Sequence, residues 1–538
     1  MKTIGFRIAA FLLCGILAML LLAGCGEDDL DYMETAEAIT YYDADDITKP
    51  CDDAAIITIA FTSHEPFIGN MLNYEFLWHE GRNREWEEDI VFFAASFLAS
   101  HELLGKGVVI DNSRHGLPNV YSSRIRAQTL DTRYGQAVGR TVPETMINLS
   151  GGELRAEFLE IINDLILRIP ELTDFEILMG LYRSIAITND CHSGITLPQN
   201  YLLPIIITSA FPKQHSETSH PFPLPAIRSA YAGIAETINT QIIAINGVDL
   251  EEILNRMRLI FPSENEIHLH ASHIGHIRSK EFLQYIGVMG DESTIPVTVR
   301  NVNGEVFTTD ISFVQSLTGV EMVHHVIDTE TFFFMSRPND DYWFRYFSDD
   351  DIMYLRIARF TSFEQQAREQ FMTLSQRNDL PSMHFAHELI DAIVELSGVG
   401  TLIIDVRSNP GGAANFGLEH FLVWGRDNRE LLGNVYIAID HFSFSHSVVF
   451  AMLAERFLDD ALFIGSPTGG ALNLFGGGVP RTMKNSQTRF FVGENYTMLD
   501  PYTETNTLYP DIFVYRTLED FANSHDAVIE TIRQRKLN

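Results

Sequence analysis

Three stretches late in the chain decide how it is read: Leu402-Ile-Ile-Asp-Val-Arg-Ser-Asn-Pro-Gly-Gly412, Asp440-His-Phe-Ser-Phe-Ser-His-Ser447 and Ile464-Gly-Ser-Pro-Thr-Gly-Gly470. The first is an apolar strand that empties into a Gly-Gly turn, where backbone amides can face a ligand with no side chain in the way. The second follows a strand candidate and opens a helix. A serine there sits at the positive end of the helix, beside amides that favour a developing alkoxide. The third is another Gly-rich turn after a strand. Around them, short apolar runs at 353–358, 401–406, 434–439 and 461–464 alternate with helical patterns near 387–396 and 447–457. That alternation predicts parallel β/α units.

Upstream, residues 73–187 are mostly helical by pattern. Trp86, Ile90, Phe93 and Phe97 share one helical face, and Leu154, Phe158, Ile161, Leu165 and Ile169 make a second stripe. Ser150 with Glu153, and Thr173 with Glu176, have the spacing of capping boxes. The irregular stretch between the two stripes carries Arg114, Arg124, Arg126, Arg133 and Arg140, read as solvated loop arginines rather than a docking patch. A Pro-rich run (Pro204, Pro212, Pro221, Pro223, Pro225) marks a seam. Beyond it, Gln241-Ile-Ile-Ala-Ile-Asn-Gly247 is a strand entering an Asn-Gly turn, and Asp249 with Glu252 is spaced to box a helix start. This text resembles the second half of a PDZ domain, a fold that takes peptide tails by strand addition, but lacks its glycine-rich carboxylate-binding loop. His268, His270, His273 and His276 crowd into nine residues. No neighbouring cysteine or carboxylate completes a metal signature, so they are read as a solvated helix and no metal is expected. His384 and His387 are read as helix surface.

The chain has 538 residues, more than one compact core holds, and its composition is that of a folded protein, with 46% hydrophobic and 20% charged residues. The 38 Lys+Arg against 72 Asp+Glu give a net charge of −34, which repels phosphate backbones and argues against a nucleic-acid partner. Four cysteines exclude a disulfide scaffold. At the N-terminus, Lys2 and Arg7 precede an apolar run from Ile8 to Ala23 that ends Leu22-Ala23-Gly24-Cys25. This reads as a signal sequence and resembles the lipobox of bacterial lipoproteins. Such a box implies cleavage before Cys25, lipidation of Cys25, and a protein held at the extracytoplasmic side of a bacterial cell envelope. The mature charge would be −36, from 36 basic and 72 acidic residues. Glu27, Asp28, Asp29 and Asp31 would then serve as a solvated tether. Cys51 and Cys191 would be the remaining thiols, which could pair or stay free.

In their order and spacing, the three opening stretches resemble the tail-specific (C-terminal processing) serine proteases. That family shows a strand ending Asp-x-Arg-x-Asn-x-Gly-Gly, then a serine-rich strand-to-helix turn, then Gly-x-x-Thr-x-Gly. Tyr354-Leu-Arg-Ile-Ala-Arg-Phe360, Asn189-Asp-Cys-His-Ser-Gly194 and the closing Pro510-Asp-Ile-Phe-Val extend the match over most of residues 75–538. The resemblance implies Ser445 as nucleophile, five residues before Phe450-Ala451, with Ser443 and Ser447 as the neighbouring alternatives. It implies an oxyanion hole from the amide of His446 with Gly411 or Gly412. The family's main bacterial branch uses a serine–lysine dyad, but the lysine position is Ala471 here, and Lys484 is too far along to match. The tricorn-like branch instead supplies a histidine from the N-terminal part and a glutamate near the C-terminus, which points to His192 and Glu504. Cys191 stands where that branch has a serine that contributes to the site.

The expected fold is therefore multidomain α+β. Residues 1–24 form the signal peptide, 25–72 a tether and lead-in, 73–200 a helical domain, 201–330 a degenerate PDZ-like domain and 331–538 a catalytic domain of ClpP/crotonase-like β/α fold. The expected activity is peptide hydrolysis by a serine peptidase on peptides or unfolded proteins, lipid-anchored at the membrane and without a cofactor. The rival reading, permitted by Ala471, is an inactive family member that binds peptides or apolar ligands at the cell surface.

Overall fold

The computed structural model describes residues 81–101, 104, 151–212, 222–329, 331–337, 339–360, 380–413, 415–477, 480–493, 495–500 and 506–537. Cys25, Cys51, the arginines from Arg114 to Arg140 and Glu504 lie outside them. The architecture is mixed α/β with several sheets. No helix among the described residues is long and apolar enough to cross a membrane.

The N-terminal part supplies α1 (Arg82–Ser100), α2 (Gly151–Arg168) and α3 (Asp174–Ala186). Trp86, Ile90, Phe93 and Phe97 of α1 pack with Leu154, Phe158, Ile162 and Leu165 of α2. Ile162, not Ile161, is the fully buried position of the second stripe. Thr173 and Glu176 form the capping box that starts α3. Chain reversal through β1 (Gly194–Ile195) leads into an antiparallel sheet. Its strands are β2 (Ile205–Ala210), β3 (Leu224–Tyr231), β4 (Thr240–Ile245), β5 (Val248–Asp249), β6 (Thr294–Asn301), β7 (Val306–Ser312) and β8 (Met322–His324). They run in the order β2-β3-β4-β6-β7, with β5 added to β4 and β8 to β3. Asn246 and Gly247 take φ of 50° and 75°, the left-handed pair that a two-residue hairpin needs between β4 and β5.

Helices α4 (Leu250–Arg258), α5 (Glu266–Ser272) and α6 (Lys280–Tyr285) lie between β5 and β6. Asp249 occupies the cap position of α4, but its side chain makes no capping bond; the residue belongs to the β4–β5 hairpin instead. The histidine-rich segment is not a solvated helix. His268, His270 and His273 are buried, and Phe261 stacks flat against His273 and His276, with ring centroids 4.6 and 4.5 Å apart. Burial holds His268 and His276 neutral, with pKa values pushed down to about 4, so the rings pack as uncharged aromatics.

The C-terminal part contains β9 (Tyr342–Phe347), β10 (Ile352–Ile357), α7 (Pro381–Glu395), β11 (Thr401–Asp405), α8 (Phe416–Asp427), β12 (Asn434–Ile439), α9 (His446–Phe457) and β13 (Leu462–Gly465). There follow β14 (Asn473–Gly476), β15 (Arg481–Thr482), β16 (Arg489–Phe491), β17 (Asn495–Met498), β18 (Ile512–Phe513), α10 (Leu518–Ala522) and α11 (Ala527–Leu537). Six strands form one sheet, β18-β13-β12-β11-β10-β9, parallel except for β9. Apolar side chains cover both faces, which explains why its strands read as continuous hydrophobic runs. The remaining strands tie the parts together. β1 pairs with β16, and Phe475, Met483, Phe490 and Val492 enter the core shared by α1–α3 and the middle sheet.

The Asp-x-Arg-x-Asn text has a structural explanation. Arg407 is buried between Asp405 and Asp526, bidentate to Asp526 at 2.8 Å on each arm, while Tyr354 donates to Asp405 at 2.7 Å. Burial alone would raise the pKa of Asp405, but Arg407 and Arg356 hold it below the ordinary carboxylate value. Its contribution to stability is therefore present above the unfolded carboxylate pKa and fades as pH falls through the depressed one. Arg407→Met strands two buried carboxylates. It should cost about 3–5 kcal/mol in urea unfolding at neutral pH, and the deficit should shrink as pH falls and Asp405 protonates.

Candidate active site

Ser445 is the cap residue of α9, with φ 55° and ψ −127°, a conformation an L-residue seldom adopts. Its side chain makes no capping bond and reaches His192 instead, with Ser445 Oγ 2.8 Å from His192 Nε2. Room for this turn comes from Gly411. It has φ 94°, and a Cβ there would lie 2.7 Å from Ser445 Cβ and 2.7 Å from the Phe444 carbonyl oxygen. Asn409 pins the two loops together. Its Oδ1 accepts from Gly411 N–H at 2.8 Å, its carbonyl accepts from Phe444 N–H, and its Nδ2 donates to the Ile357 carbonyl. Asp440 anchors the other side by accepting from Ser408 N–H and Phe442 N–H.

His192 lies between α3 and β1. Its amide donates to Asp190 Oδ1 at 2.7 Å, and Asp190 Oδ2 accepts from the Ser193 hydroxyl and lies 3.3 Å from His101 Nε2, at the end of α1. The His192 ring stacks on Phe444, with centroids 4.8 Å apart. Its Nδ1–H donates to Glu264 Oε1 at 3.2 Å, and Ala471 N–H donates to Glu264 Oε2 at 3.2 Å. Both side chains are shielded, 14% exposed for His192 and 2% for Glu264. Burial favours the neutral imidazole, but the hydrogen bond and charge of Glu264 outweigh it and raise the pKa of His192 above the ordinary histidine value. The thiol of Cys191 is pushed well up by burial and by Glu264.

The structure thus brings together Ser445, His192, Gly411, Gly412 and His446 from the sequence-derived set. It divides the two glycines: the Gly411 amide is held by Asn409, whereas among the described residues no acceptor is found for Gly412 N–H. His446, the residue after Ser445, has its ring against Phe360, held neutral by burial with a pKa near 3. Ser443 and Ser447 are buried and bond to the Val406 carbonyl. Ala471 is buried, and only its backbone joins the site. Glu504 lies outside the described residues. The carboxylate that meets His192 is Glu264, which sequence reasoning missed. It lies 72 residues away in Pro262-Ser-Glu-Asn265, and its only local signal is a turn ahead of the α5 cap at Asn265. Serine, imidazole and carboxylate in hydrogen-bonded series can activate a hydroxyl for nucleophilic attack.

No protein-family model matches the chain, and no curated protein matches it. Among solved structures it is similar to mature CPAF complexed with lactacystin, at 13% identity and TM-score 0.47, covering 84% of this chain and 98% of that one. It is also similar to tricorn protease, at 14% identity and TM-score 0.31, covering 77% of this chain and 37% of that one.

Glu264→Gln removes the charge that raises the His192 pKa while keeping the side-chain shape. The His192 titration, followed by imidazole nitrogen NMR shifts, should move to lower pH in the variant. An unmoved midpoint would show that Glu264 does not govern the ring.

Proposed function

We propose that the protein is a serine-type peptidase in which Ser445 is the nucleophile, His192 the general base and Glu264 the residue that orients and charges the base. The observation that carries this reading is the 2.8 Å contact between Ser445 Oγ and His192 Nε2, made by a serine in a strained turn at a helix start. Peptides as substrate class, and the tail-specific, ClpP/crotonase-like character of the serine-bearing part, rest on the sequence motifs. The Ala471 substitution is compatible with activity, because an imidazole takes the role the missing lysine would have had.

In the reaction, Ser445 Oγ attacks the peptide carbonyl carbon as its proton passes to His192 Nε2. The amides of Gly412 and His446 receive the oxyanion. Imidazolium then protonates the departing amine and the acyl–Ser445 ester remains. Water, deprotonated by the same ring, releases the acid and restores the serine. Glu264 keeps Nδ1 protonated, so that Nε2 carries the lone pair. The segment around the Leu22–Cys25 lipobox would place this activity outside the cytoplasm on a lipid tether, with the acidic body repelled by anionic headgroups.

Ser445→Ala should abolish hydrolysis of a mixed peptide library while leaving the unfolding midpoint intact. His192→Ala should lower turnover by on the order of a thousandfold or more. Full turnover in Ser445→Ala would sink the nucleophile assignment. An effect below about tenfold in His192→Ala would make the histidine structural. Peptide binding by a wild-type protein with no turnover would favour the binding-module reading.

A further inference from the structure

Beside the serine centre lies a second cluster that the peptidase reading does not use. Cys191, His268 and His273 each offer one ligand atom, and these atoms all lie within 4.8 Å of one another. They come from three places: the turn after α3, helix α5, and the short turn that follows it. Both imidazoles are buried and Cys191 is half-buried as a free thiol. Each ring has one nitrogen set against a backbone carbonyl, His268 Nδ1 at 3.3 Å from Gly469 and His273 Nε2 at 3.0 Å from Pro262. A carbonyl on one nitrogen is how proteins fix a neutral imidazole whose other nitrogen can ligate a metal. The lone sulfur lies in the same frame, 3.4 Å from the Pro262 carbonyl and 3.2 Å from Glu264 N.

We propose that Cys191, His268 and His273 form a zinc site whose occupancy switches off the Ser445–His192 centre; the switching half rests on the peptidase reading, and the binding half does not. One thiolate with two imidazoles suits a borderline-soft divalent ion, and three protein ligands leave a fourth position for water. Zinc bonds of about 2.0–2.3 Å space one sulfur and two nitrogens roughly 3.3–3.6 Å apart in a tetrahedral site, and the three groups, all within 4.8 Å of one another, would be fixed at that spacing by the ion. Forming the Zn–S bond releases the thiol proton to solvent and changes no oxidation state. What the ion fixes is joined to the serine centre. Cys191 is bonded to His192 in the chain and holds the amide of Glu264, and the His268 ring packs against Phe444, the ring on which His192 stacks. An ion that fixes Cys191 and His268 therefore acts on the two groups that set the 2.8 Å contact between His192 and Ser445, and breaks that contact.

Titrating the full-length protein with Co2+ tests the site directly. One equivalent should produce a thiolate-to-cobalt charge-transfer band, displaced by Zn2+ and absent in Cys191→Ser. Zinc should inhibit peptide hydrolysis reversibly, with recovery on adding EDTA. His273→Gln, outside the serine centre, should keep the hydrolysis rate and weaken zinc inhibition by at least about 100-fold, the upper end of what losing a supporting partner alone costs. If His273→Gln does not fold, the Cys191→Ser spectrum decides the binding half. No charge-transfer band in folded wild type, or a band that survives Cys191→Ser, would overturn the site. The band with undiminished turnover at saturating zinc would overturn the switch. The band in a protein that hydrolyses nothing would uphold the site while removing the peptidase reading.

Discussion

One carboxylate holds the centre of this molecule together. Glu264 accepts from His192 Nδ1 with one oxygen and from Ala471 N–H with the other, and it is nearly fully buried. Those two bonds join three regions of the chain: the segment after α3, the middle part and the Gly-rich turn after β13. A buried acid with only one partner would be costly, so both bonds have to form together. Their shared geometry sets where the imidazole sits and which of its nitrogens faces Ser445. The hydrogen bond and charge of Glu264 also act against the burial that would otherwise lower the pKa of His192.

Much of the fold was legible in the sequence. Parallel strands covered on both faces leave uninterrupted apolar runs, and those at 401–406 and 434–439 match β11 and β12 to within a residue. Thr173 and Glu176 formed the box their spacing announced. Polar partnerships were harder. The Asp-x-Arg-x-Asn motif gave no hint that Arg407 serves a buried pair with Asp526, 119 residues away. The histidine-rich segment looked solvated because imidazoles are polar in isolation. What buries them is Phe261 and the neighbouring turns, and no window of sequence contains that packing.

The site divides in the same way. Ser445 and His192 stood in motifs, so they could be named, and the structure sets them at hydrogen-bond distance. Glu264 stood in none, and the resemblance pointed instead to Glu504, which lies outside the described residues. Gly411 and Gly412 looked interchangeable until Asn409 Oδ1 was seen to hold one of the two amides. Ala471 raised the question of lost chemistry. Its backbone, not its side chain, reaches the site, donating to the carboxylate that meets His192.

The most direct test of the central claim is covalent capture. Wild-type protein treated with a fluorophosphonate and digested for mass spectrometry should carry a single phosphonyl group on Ser445, formed faster as pH rises through the His192 titration. An unlabelled protein, or a label on Ser443 or Ser447, would contradict the assignment of Ser445 as an activated nucleophile.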